Sequence, residues 1–474
     1  MLSLNILLSL CLMIPFLAST IISKSNLKSF ISLYGSILIL SVPFLFYFKS
    51  DFNIGNFDIN CRDLFVYGFG ILSLLLIFIE ASNESKNHTE NRFFGRYEIY
   101  TIVTLLILGV SALCRKNYNL IDIYILLEVI SVASIAIISG FGKHYKSSEV
   151  GIKYAIFSSL SSAFFLLGSA ILFIEFGSFN ILDFCSIAVS SVYIYNLGFV
   201  LIITSLLMKA GIAPFYIWLA DISQGVRFSV INLVQGLSKI AIVLCVANIL
   251  SISRISFDGN FLRSFVVFIL IGVIFSAIRS SRQCCMKRLM ANASAVTMGI
   301  VFSYLFILKS KNSLLEFNID NVFIYMTSYV GSSFIVCLSC IFLFNKDSKN
   351  FVLISDFTSS VYRRKFYFFL VFGMISFAGL PPMLGFFGKF SFIKDVVDVD
   401  VGLYYLIFYI FTLVFCDIVR GFYYFKIPTD VLISSLDNEE KNNSCDSLNS
   451  GIKKFAFLLL IIVSAFLSIG IILF

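Results

Sequence analysis

The sequence predicts an all-α polytopic membrane protein with about fourteen transmembrane helices. They include an inverted repeat of five-helix units and broken helices at spans 7 and 12. That reading rests on composition, on the length of the apolar runs, and on a repeated Gly/Pro segment. Of the 474 residues, 59% are hydrophobic and 13% charged. Ordinary globular domains are about 45–50% apolar and about 25% charged. A crossing needs about 20 apolar residues, so this chain holds enough for up to about fourteen. The same figures exclude a disordered chain, a nucleic-acid binder and a disulfide-stapled secreted domain.

Apolar runs bounded by polar breaks place the spans at 2–22, 29–48, 64–80, 98–114, 118–140, 150–175, 195–220, 228–251, 264–279, 289–308, 321–345, 366–393, 401–425 and 455–474. The first run could pass for a signal peptide, but thirteen more follow, and it is no Arg-rich amphipathic transit sequence. Spans 1 to 3 form an N-terminal group, 1–97, closed by the polar stretch 81–97. Spans 4 to 8, residues 98–251, form a first repeat, and spans 9 to 13, residues 252–426, a second. A polar loop and span 14 make up 427–474, the loop covering 427–452.

The repeat shows at the breaks. Span 7 holds Ala210-Gly211-Ile212-Ala213-Pro214-Phe215, and span 12 holds Ala378-Gly379-Leu380-Pro381-Pro382-Met383. The two lie 168 residues and five spans apart. An odd number of spans makes the copies cross in opposite directions, the sign of an inverted repeat with a broken helix in each half. Pro214, Pro381 and Pro382 cannot donate a backbone hydrogen bond, so each frees a carbonyl one turn earlier. Within the membrane, protein or water must satisfy that carbonyl.

Loops after odd-numbered spans carry 21 basic residues and loops after even-numbered spans nine. The bias places the odd loops on the cytoplasmic or matrix side and both termini on the opposite side. With Arg279, the last residue of span 264–279, counted in the loop after it, five basic residues fall inside spans: Lys153, Lys209, Lys239, Lys389 and Arg420. A charge at the centre of a membrane helix costs about 2.5–3.5 kcal/mol on insertion scales. Glu128, Lys209, Lys239 and Lys389 together would cost on the order of 10 kcal/mol unpaired. Each could snorkel or form a structural ion pair. Their number, and the position of Lys209 and Lys389 beside breaks, favours a proton relay. Burial disfavours the charged form, so a change in hydration can change protonation. Lys153 lies near the start of its span, where snorkelling and function are equally open. Asp417 and Arg420, spaced i,i+3, read as a structural pair.

The eleven Cys are scattered in apolar runs, and His88 and His144 fall in polar loops. They form no pattern for a metal, haem or iron–sulfur centre. The glycines form no dinucleotide fingerprint, and there is no Walker A motif. Phe is abundant at 55 residues while Trp occurs once, a bias expected of an A/T-rich genome, organellar or bacterial.

Residues 205–225 read SLLMKAGIAPFYIWLADISQG, and Ser238-Lys239-Ile240-Ala241 follows. Gly151-Ile152-Lys153-Tyr154 precedes Ser158, Ser159 and Ser162; Arg288-Leu289-Met290-Ala291 precedes Met298-Gly299; 378–390 read AGLPPMLGFFGKF. Over 115–395 these blocks resemble the antiporter-like membrane subunits of respiratory complex I. Within that family they are most similar to NADH dehydrogenase (ubiquinone) subunit 2, the equivalent of bacterial subunit N. Subunit 4 members carry Glu where Lys389 stands.

The resemblance implies a proton-translocating subunit of NADH:ubiquinone oxidoreductase. Glu128 and Lys209 would form a charge pair, Lys153 would modulate it, Lys239 would be the central relay and Lys389 the terminal lysine. It implies no cofactor in this chain; flavin mononucleotide, iron–sulfur clusters and ubiquinone would be bound by other subunits. Its partners would be other membrane-arm subunits and lipids, with no nucleic acid. Its location would be the mitochondrial inner membrane, or alternatively a bacterial inner membrane, with both termini on the intermembrane-space or periplasmic side. There are departures: Val226-Arg227-Phe228 stand where relatives carry Pro and small residues, and Thr297 stands where a His is common. A subunit of a cation/proton antiporter and a non-pumping spacer of the membrane arm stay open as alternatives.

Overall fold

The computed structural model describes residues 61–84, 96–114, 119–140, 145–185, 192–252, 259–310, 319–343, 364–381, 383–399, 402–437, 457–464 and 467. The expected spans 2–22 and 29–48, and most of 455–474, lie outside the described residues, as does Pro382.

Among the described residues the chain is helical, and the bridge between Asn119 and Asn180 is isolated. The helices are α1 (Cys61–Glu84), α2 (Arg96–Cys114), α3 (Leu120–Gly140), α4 (Tyr145–Phe176), α5 (Val192–Ala210), α6 (Ile217–Gly225) and α7 (Phe228–Ile231). A π-helical segment, Asn232–Leu237, joins α7 to α8 (Ser238–Ile252). Then come α9 (Gly259–Ser281), α10 (Met286–Ser310), α11 (Ile319–Leu343), α12 (Arg364–Ala378), α13 (Leu384–Asp398) and α14 (Leu403–Asp437).

Eight described segments are long and apolar enough to cross a membrane, and three more are shorter and apolar. They fall on the expected spans because runs of that length leave few alternatives. The expected span 195–220 divides into α5 and α6, and 366–393 into α12 and α13, at the two Gly/Pro segments. One boundary needs correction. Residues 427–437, expected to open a polar loop, continue α14 to Asp437. The polar residues there masked a helical recurrence of Ile427, Val431, Leu432 and Leu436.

The chain divides into two compact units: Met1–Asp183 with Val189–Leu206 and Leu237–Asn248, and Phe184–Ala188 with Leu207–Gly236 and Ile249–Phe474. In the first, α1 packs on α2, α2 on α3 and α3 on α4. In the second, α9 packs on α10 and α14, and α11 packs on α12 and α13. The most apolar windows of α10 and α11 are wholly buried, whereas that of α14 is mostly exposed. Helices apolar all round belong in the interior of a membrane bundle, and an exposed apolar stripe belongs against lipid or another membrane chain. On α14 that stripe includes Tyr404, Ile407, Phe411, Ile418 and Phe422.

Candidate functional site

Both breaks are built the same way. Helix α5 ends at Ala210, and Gly211 takes φ +67°. The Gly211 N–H donates to the Met208 carbonyl and the Ile212 N–H to the Leu207 carbonyl, each at 3.1 Å. This is a Schellman closure, which needs a left-handed residue that glycine supplies without strain. Helix α12 ends at Ala378, and Gly379 takes φ +68°, its N–H donating to the Ser376 carbonyl at 3.0 Å. Pro214 follows the first glycine by three residues, and Pro381 lies in the exposed turn before α13.

At the second break, the buried Lys389 reaches back across the turn. Its Nζ donates to the Ala378 carbonyl at 2.8 Å and to Asp417 Oδ1 at 2.6 Å. Ala378 stands four residues before Pro382, so its carbonyl is one that proline leaves without a helical donor. It also ends α12, where the helix dipole favours a cation. Gly379 leaves the room: a Cβ there would run into Lys389 Nζ. Arg420, fully buried, donates from Nη2 to the same Asp417 oxygen at 2.5 Å and from Nε to the Cys416 carbonyl at 3.3 Å.

One carboxylate therefore serves two cations. The guanidinium stays charged under all ordinary conditions, whereas the amine can release a proton. When Lys389 is neutral, Asp417 keeps Arg420 as counter-charge; when it is charged, Asp417 and Ala378 receive it. The expected Asp417–Arg420 pair is present, and Lys389 joins it as a third member. The i,i+3 spacing explained both charges locally and hid the partner 28 residues away in sequence.

Lys239 is buried, one residue into α8 and directly after the π-helical segment. A π segment is a frequent mark of functional positions. Lys209 lies in the last turn of α5, half-buried, beside the first break. Glu128 is half-buried on α3 and accepts a hydrogen bond from Ser131 at 2.6 Å. Lys153 pairs with Glu149 at 2.6 Å, both about half exposed. Such an i,i+4 surface pair is worth about 0.3–0.5 kcal/mol. Thr297 donates to the Ser294 carbonyl at 2.8 Å. The structure thus joins Lys389 to its break and to Asp417.

Two further lysines counted with the loops are buried in α10. Lys287 donates to the Val226 carbonyl at 2.6 Å, at the end of α6, and lies over the Phe228 ring at 5.0 Å. Lys309 donates to the Leu250 carbonyl at 3.1 Å, in the last turn of α8. With Lys389, three lysines satisfy carbonyls at helix C-termini, where both the orphan acceptors and the dipole favour them. Proximity to polar loops made Lys287 and Lys309 read as orientation charges, and no local spacing marks the carbonyls they reach.

The family described as NADH:quinone oxidoreductase/Mrp antiporter, transmembrane, matches residues 117–415. The NADH-quinone oxidoreductase subunit N of Ruthia magnifica is 26% identical over 66% of this chain and 65% of its own length. That of Francisella tularensis is 23% identical over 78% of this chain and 75% of its own. The chain thus spans about two thirds to three quarters of these relatives. A chain of respiratory complex I from Thermus thermophilus superposes with a TM-score of 0.74 at 19% identity, covering 99% of this chain and 97% of that one. A chain of the Mrp complex from Dietzia sp. gives 0.69 at 16% identity, covering 95% and 83%.

Proposed function

Because the chain belongs to the NADH:quinone oxidoreductase/Mrp antiporter transmembrane family, we propose that it is a proton-translocating membrane-arm subunit of an NADH:ubiquinone oxidoreductase. Protons pass through Glu128, Lys209, Lys239 and Lys389, with Lys153 modulating the Glu128–Lys209 pair. The redox chemistry that drives them belongs to other subunits, which hold the flavin mononucleotide, iron–sulfur clusters and ubiquinone. Its partners are those membrane-arm subunits and the surrounding lipid. The membrane is one that stores a proton gradient, the mitochondrial inner membrane or a bacterial inner membrane, with both termini on the intermembrane-space or periplasmic side.

The observation that carries this reading is Lys389, buried between the Ala378 carbonyl and an Asp417 already paired with Arg420. A spacer could replace these charges with apolar residues at a gain in stability. A lysine held against a helix break and a shared carboxylate instead gives a two-state element: charged and anchored, or neutral and free to move. Motion of neighbouring subunits need only change the hydration of the break to shift it.

The finer architecture goes with the function: fourteen spans, with five-helix repeats at 98–251 and 252–426 between an N-terminal group, 1–97, and a C-terminal segment, 427–474. The matched left-handed glycines Gly211 and Gly379 support the repeat. A second reading, a subunit of a multi-subunit cation/proton antiporter, draws on the family's description and on the Mrp likeness. Affinity purification of the tagged chain from its native membrane separates the two. Flavin and iron–sulfur subunits co-purify if the proposal holds. Recovery with membrane antiporter subunits alone refutes it.

A further inference from the structure

Lys389 leaves open where a released proton goes. Helix α13 carries it toward one face of the membrane, and Asp395 stands six residues on, about 9 Å along the axis. Asp395 is half-buried and held by two groups: the Tyr304 hydroxyl donates to its Oδ2 at 2.5 Å and Asn321 Nδ2 at 2.8 Å. Asn321 is the third residue of α11, so this carboxylate sits where that span begins.

Between the two lie buried phenols. Tyr325 stands one turn deeper than Asn321 on the same face of α11. Its ring meets Phe392 edge-on at 5.3 Å, and Phe392 stacks on Tyr304 at 4.1 Å. Gly388, next to Lys389, lets α13 close on it: a Cβ at Gly388 would fall 2.9 Å from Tyr325 Cβ. The Tyr325 phenol lies within electrostatic reach of Arg420 and Asp417, and the Tyr409 phenol within reach of Tyr325 and Asp395. Tyr409 and Tyr325 are both buried; the Tyr409 hydroxyl makes no hydrogen bond within the protein, and the Tyr325 hydroxyl faces the Arg420 guanidinium. Buried hydroxyls are rarely left without a partner, and here two phenols lie in the electrostatic neighbourhood of two carboxylates.

Resting on the function proposed above, we infer that Tyr325 and Tyr409 carry the proton released at Lys389 to Asp395, the outlet carboxylate. The Lys389 N–H bond breaks toward Asp417. Each hydroxyl, through bridging water, accepts a proton on its oxygen and gives up its own on the far side, ending unchanged. Asp395 takes the proton, becomes the acid and passes it to bulk water; Lys389 is left neutral for reprotonation from the central path. Tyr304 and Asn321 are positioning residues that aim the Asp395 carboxylate.

The test uses the assembled complex in sealed inverted vesicles, comparing Tyr325→Phe, Tyr409→Phe and Asp395→Asn with Lys389→Met. Readouts are complex content, quinone reductase rate and protons moved per electron. Removing the unpartnered Tyr409 hydroxyl gives up no hydrogen bond, so Tyr409→Phe assembles at the normal level, and the yield of Tyr325→Phe is read per assembled complex. Each lowers proton yield at least twofold, Asp395→Asn does the same, and Asp395→Glu restores it. Normal yield in both phenylalanine variants, beside a lost yield in Lys389→Met, overturns the outlet and leaves the pumping function standing. Normal yield in Lys389→Met overturns both. Failure of Tyr409→Phe to assemble also overturns the outlet, since the hydroxyl would then have a structural partner.

Discussion

Replacing Gly379 by alanine tests whether the second break is built around Lys389. Gly379 sits at φ +68°, and a left-handed conformation costs a residue with a Cβ about 1–2 kcal/mol. The new Cβ would also overlap Lys389 Nζ and lie 2.9 Å from its Cε. The amine must move aside, at the expense of its bonds to Ala378 and Asp417. Breaking a buried ion pair costs about 3–5 kcal/mol, and the partial exposure of Asp417 puts this one near the lower end. Gly211→Ala is the matched control. Its φ of +67° carries the same strain, but its Cβ meets only the Leu219 side chain, at 3.2 Å. Gly211→Ala should therefore lose about 1–2 kcal/mol. Gly379→Ala should lose about 3 kcal/mol more. That difference depopulates the native Lys389 arrangement about a hundredfold, each 1.4 kcal/mol being a factor of ten. Coupled NADH:quinone turnover, normalised to assembled complex, should fall at least tenfold in Gly379→Ala and less than threefold in Gly211→Ala. Equal, near-normal turnover in both variants would refute the assignment of Gly379 as the space that admits Lys389.

Lys239→Met keeps length and apolar fit while removing the amine. It should give an assembled complex with impaired coupled turnover, and normal pumping would remove Lys239 from the path. Lys389→Arg holds a permanent positive charge in the same place. Assembly should survive while proton yield falls, and full yield would mean that Lys389 never needs to release its proton. The charge bias puts the 346–364 loop opposite the N-terminus; impermeant labelling of both from one side would contradict it.

The described spans and both breaks were legible because their causes are local. An apolar run of about 20 residues has one membrane solution, and Ala-Gly followed by Pro ends a helix wherever it falls. The depth of Lys389 followed from its place in span 12. Its partner did not, because Asp417 had a nearer explanation in Arg420. Lys287 and Lys309 read as loop charges although both reach backbone carbonyls about sixty residues away. The π segment 232–237 was invisible too, since a helix buried all round has no polar face against which a change of pitch would show. The continuation of α14 to Asp437 was missed because polar residues interrupt a weak apolar recurrence.

In the function proposed above, this chain moves protons through titrating lysines. The most direct test is the number of protons translocated per electron by the assembled complex in sealed vesicles, wild type against the Lys239→Met, Lys389→Met double variant. The double variant should show a lower ratio at unchanged complex content. An unchanged ratio and turnover would make the chain a spacer in the membrane arm.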